Sequence, residues 1–230
     1  MRSHANNDKK HLGTIYQKLL AEFGPQHWWP AETKFEVIIG AILTQNTNWG
    51  NVEKALANLK KAGVLNPPGL KNIPTPKLAR LIKPSGYFNV KAKRLKNFIE
   101  FFFEEYDGDL KKMAGESLEI LRHKVLGVHG IGPETADSIL LYACGQPTFV
   151  VDAYTKRIFS RHNLVANGAD YQQIQTLFMG HLPLDVELFN EYHALIVRLG
   201  KDFCRARPLC EKCPLNYLNR LTEYRYAGVS

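Results

Sequence analysis

The stretch from Leu126 to Asp152, LGVHGIGPETADSILLYACGQPTFVVD, constrains the fold more than any other part of the chain. A helical pattern ends in a loop with Gly130 and Gly132 one residue apart, and a new helix is expected from Pro133. Gly-Ile-Gly admits backbone conformations closed to other residues, so its N–H groups can point at an anion. The N-terminus of the following helix adds a partial positive charge at the same spot. A short apolar run, Phe149-Val150-Val151, then delivers Asp152. A phosphate grip tied to a carboxylate is the outline of an enzyme acting on nucleic acid. Each part also has a plainer reading. Gly-x-Gly before a helix is common, and Asp152 ahead of Ala-Tyr-Thr-Lys-Arg is a good helix N-cap. Order and spacing together favour the enzyme.

Nearly every other periodic segment has helical spacing. Helices are expected over about 12–23, 33–44, 49–62, 75–82, 90–106, 117–126, 133–144, 153–162, 170–180 and 186–200. Breakers separate them, among them Gly24-Pro25, Asn66-Pro67-Pro68-Gly69, Lys83-Pro84-Ser85-Gly86 and Gly145-Gln146-Pro147. The one strand-like run, Thr148–Val151, is too short and isolated to found a sheet, so the expected fold class is all-α. A formal net charge of +8 fits a polyanionic partner. No apolar run approaches the roughly 18 residues of a membrane span, and MRSHANNDKKH lacks the apolar centre of a secretion signal. The expectation is a cytoplasmic protein with reduced thiols and no membrane partner.

The hairpin and aspartate resemble the helix-hairpin-helix DNA glycosylases of the endonuclease III superfamily, whose hairpin has the form LxGxGxxTA with an aspartate further on. Val128, Gly130, Gly132, Thr135 and Ala136 match it here, with Asp152 in the catalytic place and His129 and Pro133 as loop variants. The similarity runs from about Phe35 to Cys213. It implies two domains: a six-helix barrel over 33–146, and a discontinuous helical domain formed by 1–32 with 147–230, the active-site cleft lying between them. The implied partner is double-stranded DNA containing a damaged base. The protein would act as a monomer, nucleoid-associated if prokaryotic.

Hydrolysing an N-glycosidic bond builds positive charge on the sugar as the base departs. A carboxylate beside C1′ stabilises that state and orients or deprotonates a water; Asp152 takes this role. Superfamily members that also nick the strand carry a lysine second after the Gly-x-Gly, whose amine forms a Schiff base with the sugar. Glu134 stands there instead. A glutamate forms no imine, so the resemblance implies a monofunctional glycosylase without AP-lyase activity. Glu134 reads equally as a first-turn acid favoured by the helix dipole.

The pattern His27-Trp28-Trp29-Pro30, Lys34-Phe35-Glu36 and Leu43-Thr44-Gln45-Asn46-Thr47-Asn48-Trp49 is similar to the endonuclease III-type 3-methyladenine DNA glycosylases. Lys-Pro-Ser-Gly-Tyr at 83–87 and Lys91-Ala92-Lys93-Arg94 belong to the same resemblance. It assigns the extruded base to aromatic residues: Trp28 and Trp49 occupy the sandwiching places, with Trp29 beside the first. A cationic alkylated purine would bind indole faces by stacking and cation–π attraction. Trp pairs are also common in cores. Gln45 matches the residue that fills the gap left by the flipped nucleotide, although LTQNT alone is an ordinary helix end. Lys83, Lys91, Lys93 and Arg94 suit DNA phosphates, or form a solvated helix face.

Cys204, Cys210 and Cys213 fall close together in CRARPLCEKCPL, a spacing that points to metal rather than disulfides in a reducing compartment. The superfamily often ends in a four-cysteine loop holding a 4Fe–4S cluster, and this tail resembles it, with Asn219 where the fourth ligand is expected. Three outcomes stay open: a three-cysteine cluster, a zinc or weakened site, or no metal at all. Cys144 lies in an apolar helix and reads as a small hydrophobe. Rival functions are a glycosylase for uracil or thymine in mismatches or another damaged base, a bifunctional endonuclease III-like lyase, and a non-catalytic DNA-binding module.

Overall fold

The computed structural model describes residues 2–26, 28 and 31–218, with backbone alone for 2–10. Trp29 and Asn219, both singled out above, lie outside the described residues, as do His27 and Pro30. The helices in chain order are α1 (Arg2–Phe23), α2 (Lys34–Leu43), α3 (Trp49–Lys61), α4 (Pro67–Asn72), α5 (Thr75–Leu81) and α6 (Phe88–Tyr106). They continue as α7 (Leu110–Ala114), α8 (Leu118–Gly127), α9 (Pro133–Ser138), α10 (Ala153–Arg161), α11 (Tyr171–His181) and α12 (Val186–Asp202). No strand occurs among the described residues, and the fold is all-α. No helix among them is long and apolar enough to cross a membrane.

Two short helices, α4 and α7, fall where the sequence pattern shows only breakers or a gap. At α4 the Asn66 carboxamide caps the Gly69 N–H at 2.8 Å, and two prolines fill the first turn. A missing N–H costs nothing there, so residues that would break a helix interior instead start one. α9 is also shorter than expected. It ends at Ser138, and Ile139–Ala143 continue as a π-turn before Gly145 turns the chain at φ +66°.

The chain divides into two compact units, Trp29–Pro147 and Met1–Trp28 with Thr148–Ser230. In the first, α2 is the central element: Phe35 to Leu43 are all buried. Around its apolar surface pack α3, α6, α9 and the π-turn, contributing Val52, Leu56, Phe98, Phe102, Ala136 and Ile139 to one core, which Leu121 and Val125 of α8 join. Each such side chain stabilises by about 1.5–3 kcal/mol on burial. In the second unit Phe149 stacks on Phe178 with ring centroids 3.8 Å apart, and Phe159, Phe189 and Tyr192 pack edge-on around them.

The strand-like run Thr148–Val151 forms no regular element, and side chains hold its buried backbone. Gln175 Nε2 donates to the Phe149 carbonyl at 2.8 Å, and the Tyr171 hydroxyl accepts from the Val151 N–H at 3.3 Å. Buried backbone groups thus find partners without a second strand.

Candidate active site

The hairpin is the turn between α8 and α9. Gly130 sits at φ +95°, where a side chain would be strained, and a Cβ there would stand 2.5 Å from Arg94 Cγ. Gly132 differs from the expectation for the pair. Its φ of −92° is open to any residue, and nothing lies within 4 Å of where its Cβ would project. Only the first glycine is required by the backbone. Val128, matched to the motif, turns its side chain into the core. The two helices of the hairpin are joined by Asp137, fully buried, and Arg122. Arg122 Nε donates to Oδ1 at 2.8 Å and Nη2 to Oδ2 at 3.0 Å, a two-point pair that offsets the desolvation of the buried charge.

Three residues from distant segments brace the loop itself. Gln45 Nε2 donates to Thr135 Oγ1 at 2.9 Å and to the Gly130 carbonyl at 3.2 Å, while its Oε1 accepts from Arg94. Asn97 Nδ2 donates to the His129 carbonyl at 3.0 Å. Gln45, expected to fill a gap in the duplex, is here tied to the hairpin together with Thr135. Lys91 is a correction. It is 1% exposed, and its ammonium caps the end of α2, donating to the Leu43 carbonyl at 2.9 Å and to that of Ser85 at 2.6 Å. Burial pulls its pKa down to about 8. It is a core brace that reaches no phosphate; of the expected basic cluster Lys83 and Lys93 are exposed and Arg94 half-buried.

Asp152 is the N-cap of α10, as the plainer reading had it, and it is buried. Oδ1 accepts from the Thr155 N–H at 2.7 Å and the Thr155 hydroxyl at 2.8 Å. Oδ2 faces His193 Nε2 of α12 at 3.7 Å, an ion-pair contact longer than a hydrogen bond. Burial alone would raise this carboxyl's pKa; His193 and the Thr155 donors outweigh it and hold the group below the usual carboxylate range. Neither Thr155 nor His193 was singled out in the sequence. The threonine was visible at the third position after a cap, but nothing local marked the histidine.

Glu134 is exposed in the first turn of α9, where the helix dipole favours an acid. Trp49 opens α3, half-buried against the core, with its indole N–H donated to Glu53 at 2.8 Å. Trp28, also half-buried, carries the Lys201 ammonium 5.7 Å from its ring centroid, the contact an electron-rich face makes with a cation. Tyr87, the last residue of the Lys-Pro-Ser-Gly-Tyr run and given no role of its own there, is 72% exposed and held at φ +45° just ahead of α6, a costly backbone for a bulky side chain.

Cys204, Cys210 and Cys213 line one cavity of about 230 Å³ together with Arg161 and His162. Burial pushes the Cys213 thiol up, and the other two thiols add to the effect. Arg161 Nη1 lies 3.4 Å from Cys204 Sγ. Among the described residues no three His, Cys, Asp or Glu side chains converge to hold a single ion. Three thiols lining one cavity are soft donors of the kind that iron–sulfur clusters and zinc both take. Arg157 and Arg161 fasten this loop to α10, donating to the carbonyls of Cys204, Gly200, Arg205 and Ala206 at 2.6–3.2 Å. The helix capped by Asp152 is therefore also the anchor of the cysteine loop. Cys144 is separate: it is buried, and its thiol is pushed up to about 12 by desolvation.

A helix-hairpin-helix followed by a buried, ionised aspartate defines a class, and comparison with known proteins fits it. Residues 39–183 match the HhH-GPD superfamily base excision DNA repair protein family. A Methanocaldococcus jannaschii protein named as a DNA repair glycosylase is 51% identical over 203 residues, spanning 87% of this chain and 92% of that one. The structure of the Helicobacter pylori 3-methyladenine DNA glycosylase bound to 1,N6-ethenoadenine is similar at a TM-score of 0.69 and 32% identity, covering 86% of this chain and 97% of that one. A non-covalent endonuclease III–DNA complex shares the fold at a TM-score of 0.80 and 21% identity, over 95% of this chain and 98% of that one. The chain belongs to the HhH-GPD superfamily and is an endonuclease III-like DNA repair glycosylase.

Proposed function

We propose that the protein is a monofunctional glycosylase that releases alkylated purines from double-stranded DNA. The observation that carries the reading is Asp152, kept ionised in a buried setting, in a chain whose hairpin helix opens Pro133-Glu134-Thr135 without a lysine. In the reaction the C1′–N bond breaks, its electron pair leaves with the base, and water adds to C1′ while Asp152 stabilises the cationic sugar and takes up the water's proton. Glu134 has no amine with which to form an imine, so the backbone is left whole. The hairpin binds a phosphate at the N-terminus of α9, where the open space at Gly132 leaves room for close approach.

The extruded base is assigned to the indoles of Trp28 and Trp49, whose electron-rich faces suit positively charged purines. Trp29 shares this assignment from outside the described residues. Tyr87, exposed, and Lys93 are assigned to DNA. Cys204, Cys210 and Cys213 would hold an iron–sulfur cluster, which supplies rigidity to the loop fastened on α10 and no part of the hydrolysis.

The test is release of free base from duplexes carrying methylated purines, uracil mismatches or oxidised guanine. Methylpurine release is expected, and Asp152→Asn should lose about 10²–10³ in rate with an unchanged melting curve. Processing of uracil mismatches alone would overturn the substrate assignment. A borohydride-trapped covalent complex would overturn the monofunctional one.

A further inference from the structure

We infer that His193 is a positioning residue for Asp152, holding the carboxylate from α12 while the N-terminus of α10 holds it from the other side. The inference rests on the reading of Asp152 as the reacting carboxylate. Its first support is the unequal treatment of the two oxygens. An N-cap needs one oxygen, and Oδ1 serves that purpose with two Thr155 donors at 2.7 and 2.8 Å. Oδ2 is not needed for the cap, yet a ring nitrogen stands 3.7 Å from it. Contacts on both oxygens oppose rotation of the carboxylate about its Cβ–Cγ bond.

Second, His193 has little freedom to turn away. It is 5% exposed, and its ring stands perpendicular to Phe149 at 6.5 Å. Third, the two helices are brought unusually close. A Cβ on Gly200, which lies two turns further along α12, would stand 2.3 Å from Tyr154 Cδ1 of α10. The same close packing that requires this glycine lets His193 reach the cap of α10. A proton on Nε2 faces Oδ2 in both the imidazolium and the Nε2–H tautomer, so the ring orients the carboxylate in either state and adds charge in the first. Next to Asp152 in the chain, the Val151 N–H is held by the Tyr171 hydroxyl of α11, and Lys156 of α10 lies over the Tyr171 ring at 6.0 Å.

The experiment has one arm without substrate and one with it. Carbon-13 NMR of the Asp152 carboxyl in the full chain, free of DNA, gives its titration midpoint in wild type, His193→Gln and His193→Leu. Single-turnover base release and duplex affinity are measured on the same proteins, alone and combined with Asp152→Asn. A raised carboxyl midpoint is expected in both variants. Base release should fall by about 10- to 100-fold in His193→Leu, with partial recovery in His193→Gln, unchanged duplex affinity and no further loss on the Asp152→Asn background. Wild-type midpoints in both variants, or equal losses on both backgrounds, would overturn the inference. If the leucine variant does not fold, the glutamine variant alone decides by the same midpoint. A shifted midpoint in a protein that releases no base from any duplex would uphold the pairing and sink the glycosylase reading instead.

Discussion

The hairpin and the Asp152 cap are both loop-to-helix junctions, and they are stabilised in opposite ways. The hairpin junction, Gly132-Pro133, has no side-chain cap at all. It is shaped from outside by Gln45, Arg94 and Asn97, reaching in from other segments, and by the Arg122–Asp137 pair beneath it. The Asp152 junction caps itself, with Oδ1 on Thr155, and is sealed by a buried neighbour on α12. On the proposed function the start of α9 faces a phosphate, and a junction that leaves its first N–H groups without a side-chain cap keeps them available for one. A carboxylate that must stay ionised in a buried setting needs donors close at hand. The first junction is therefore built for access and the second for electrostatic control.

The largest test of this contrast is Arg122→Ala, which strips buried Asp137 of its two-point partner. It should cost about 3–5 kcal/mol in urea unfolding, while Arg122→Lys recovers only part, since an ammonium cannot match the planar fork. Gly200→Ala comes next. The added methyl meets the Tyr154 ring, and overpacking of about 1–3 kcal/mol is expected, together with a base-release defect if the α10–α12 approach sets the geometry at Asp152.

The two hairpin glycines should then separate. Gly130→Ala is strained by its φ of +95° and by Arg94, and should lose about 1–2 kcal/mol. Gly132→Ala should stay within about 0.5 kcal/mol of wild type in stability and weaken duplex binding. Equal stability losses at both would erase the distinction drawn here.

The smallest effect is the pH dependence from Lys91. Its folded pKa of about 8 lies below the ordinary 10.5, so the unfolded chain holds more protons between those values. Stability from this group is fully present above pH 10.5, and is lost as pH falls through about 8. The rise from pH 8 upward should be flatter in Lys91→Met, read as the difference between the two unfolding curves.

What was legible in the sequence follows from range. The N-cap at Asp152 and the glycine turn at Gly130 ahead of Pro133 are settled within a few residues, where capping and backbone rules act, whereas the prolines after Asn66 read as a break and hid the short helix that Asn66 caps. Lys91 misled because its neighbours Lys93 and Arg94 make a basic run, and charge runs ordinarily face solvent. Its burial depends on the carbonyl of Leu43, 48 residues away, left without a partner at the end of α2.

By itself the sequence determined the all-α fold, the hairpin, the cap at Asp152 and the missing lysine at Glu134. These rest on local periodicity, local backbone freedom and residue identity. Only the tertiary structure decided that Gln45 reaches Thr135 across 90 residues, that Gly132 faces open space, and that His193 of α12 meets Asp152 at the start of α10. Such pairings are set by how helices pack, and packing depends on side-chain volumes across the whole core. No motif of a dozen residues contains that information.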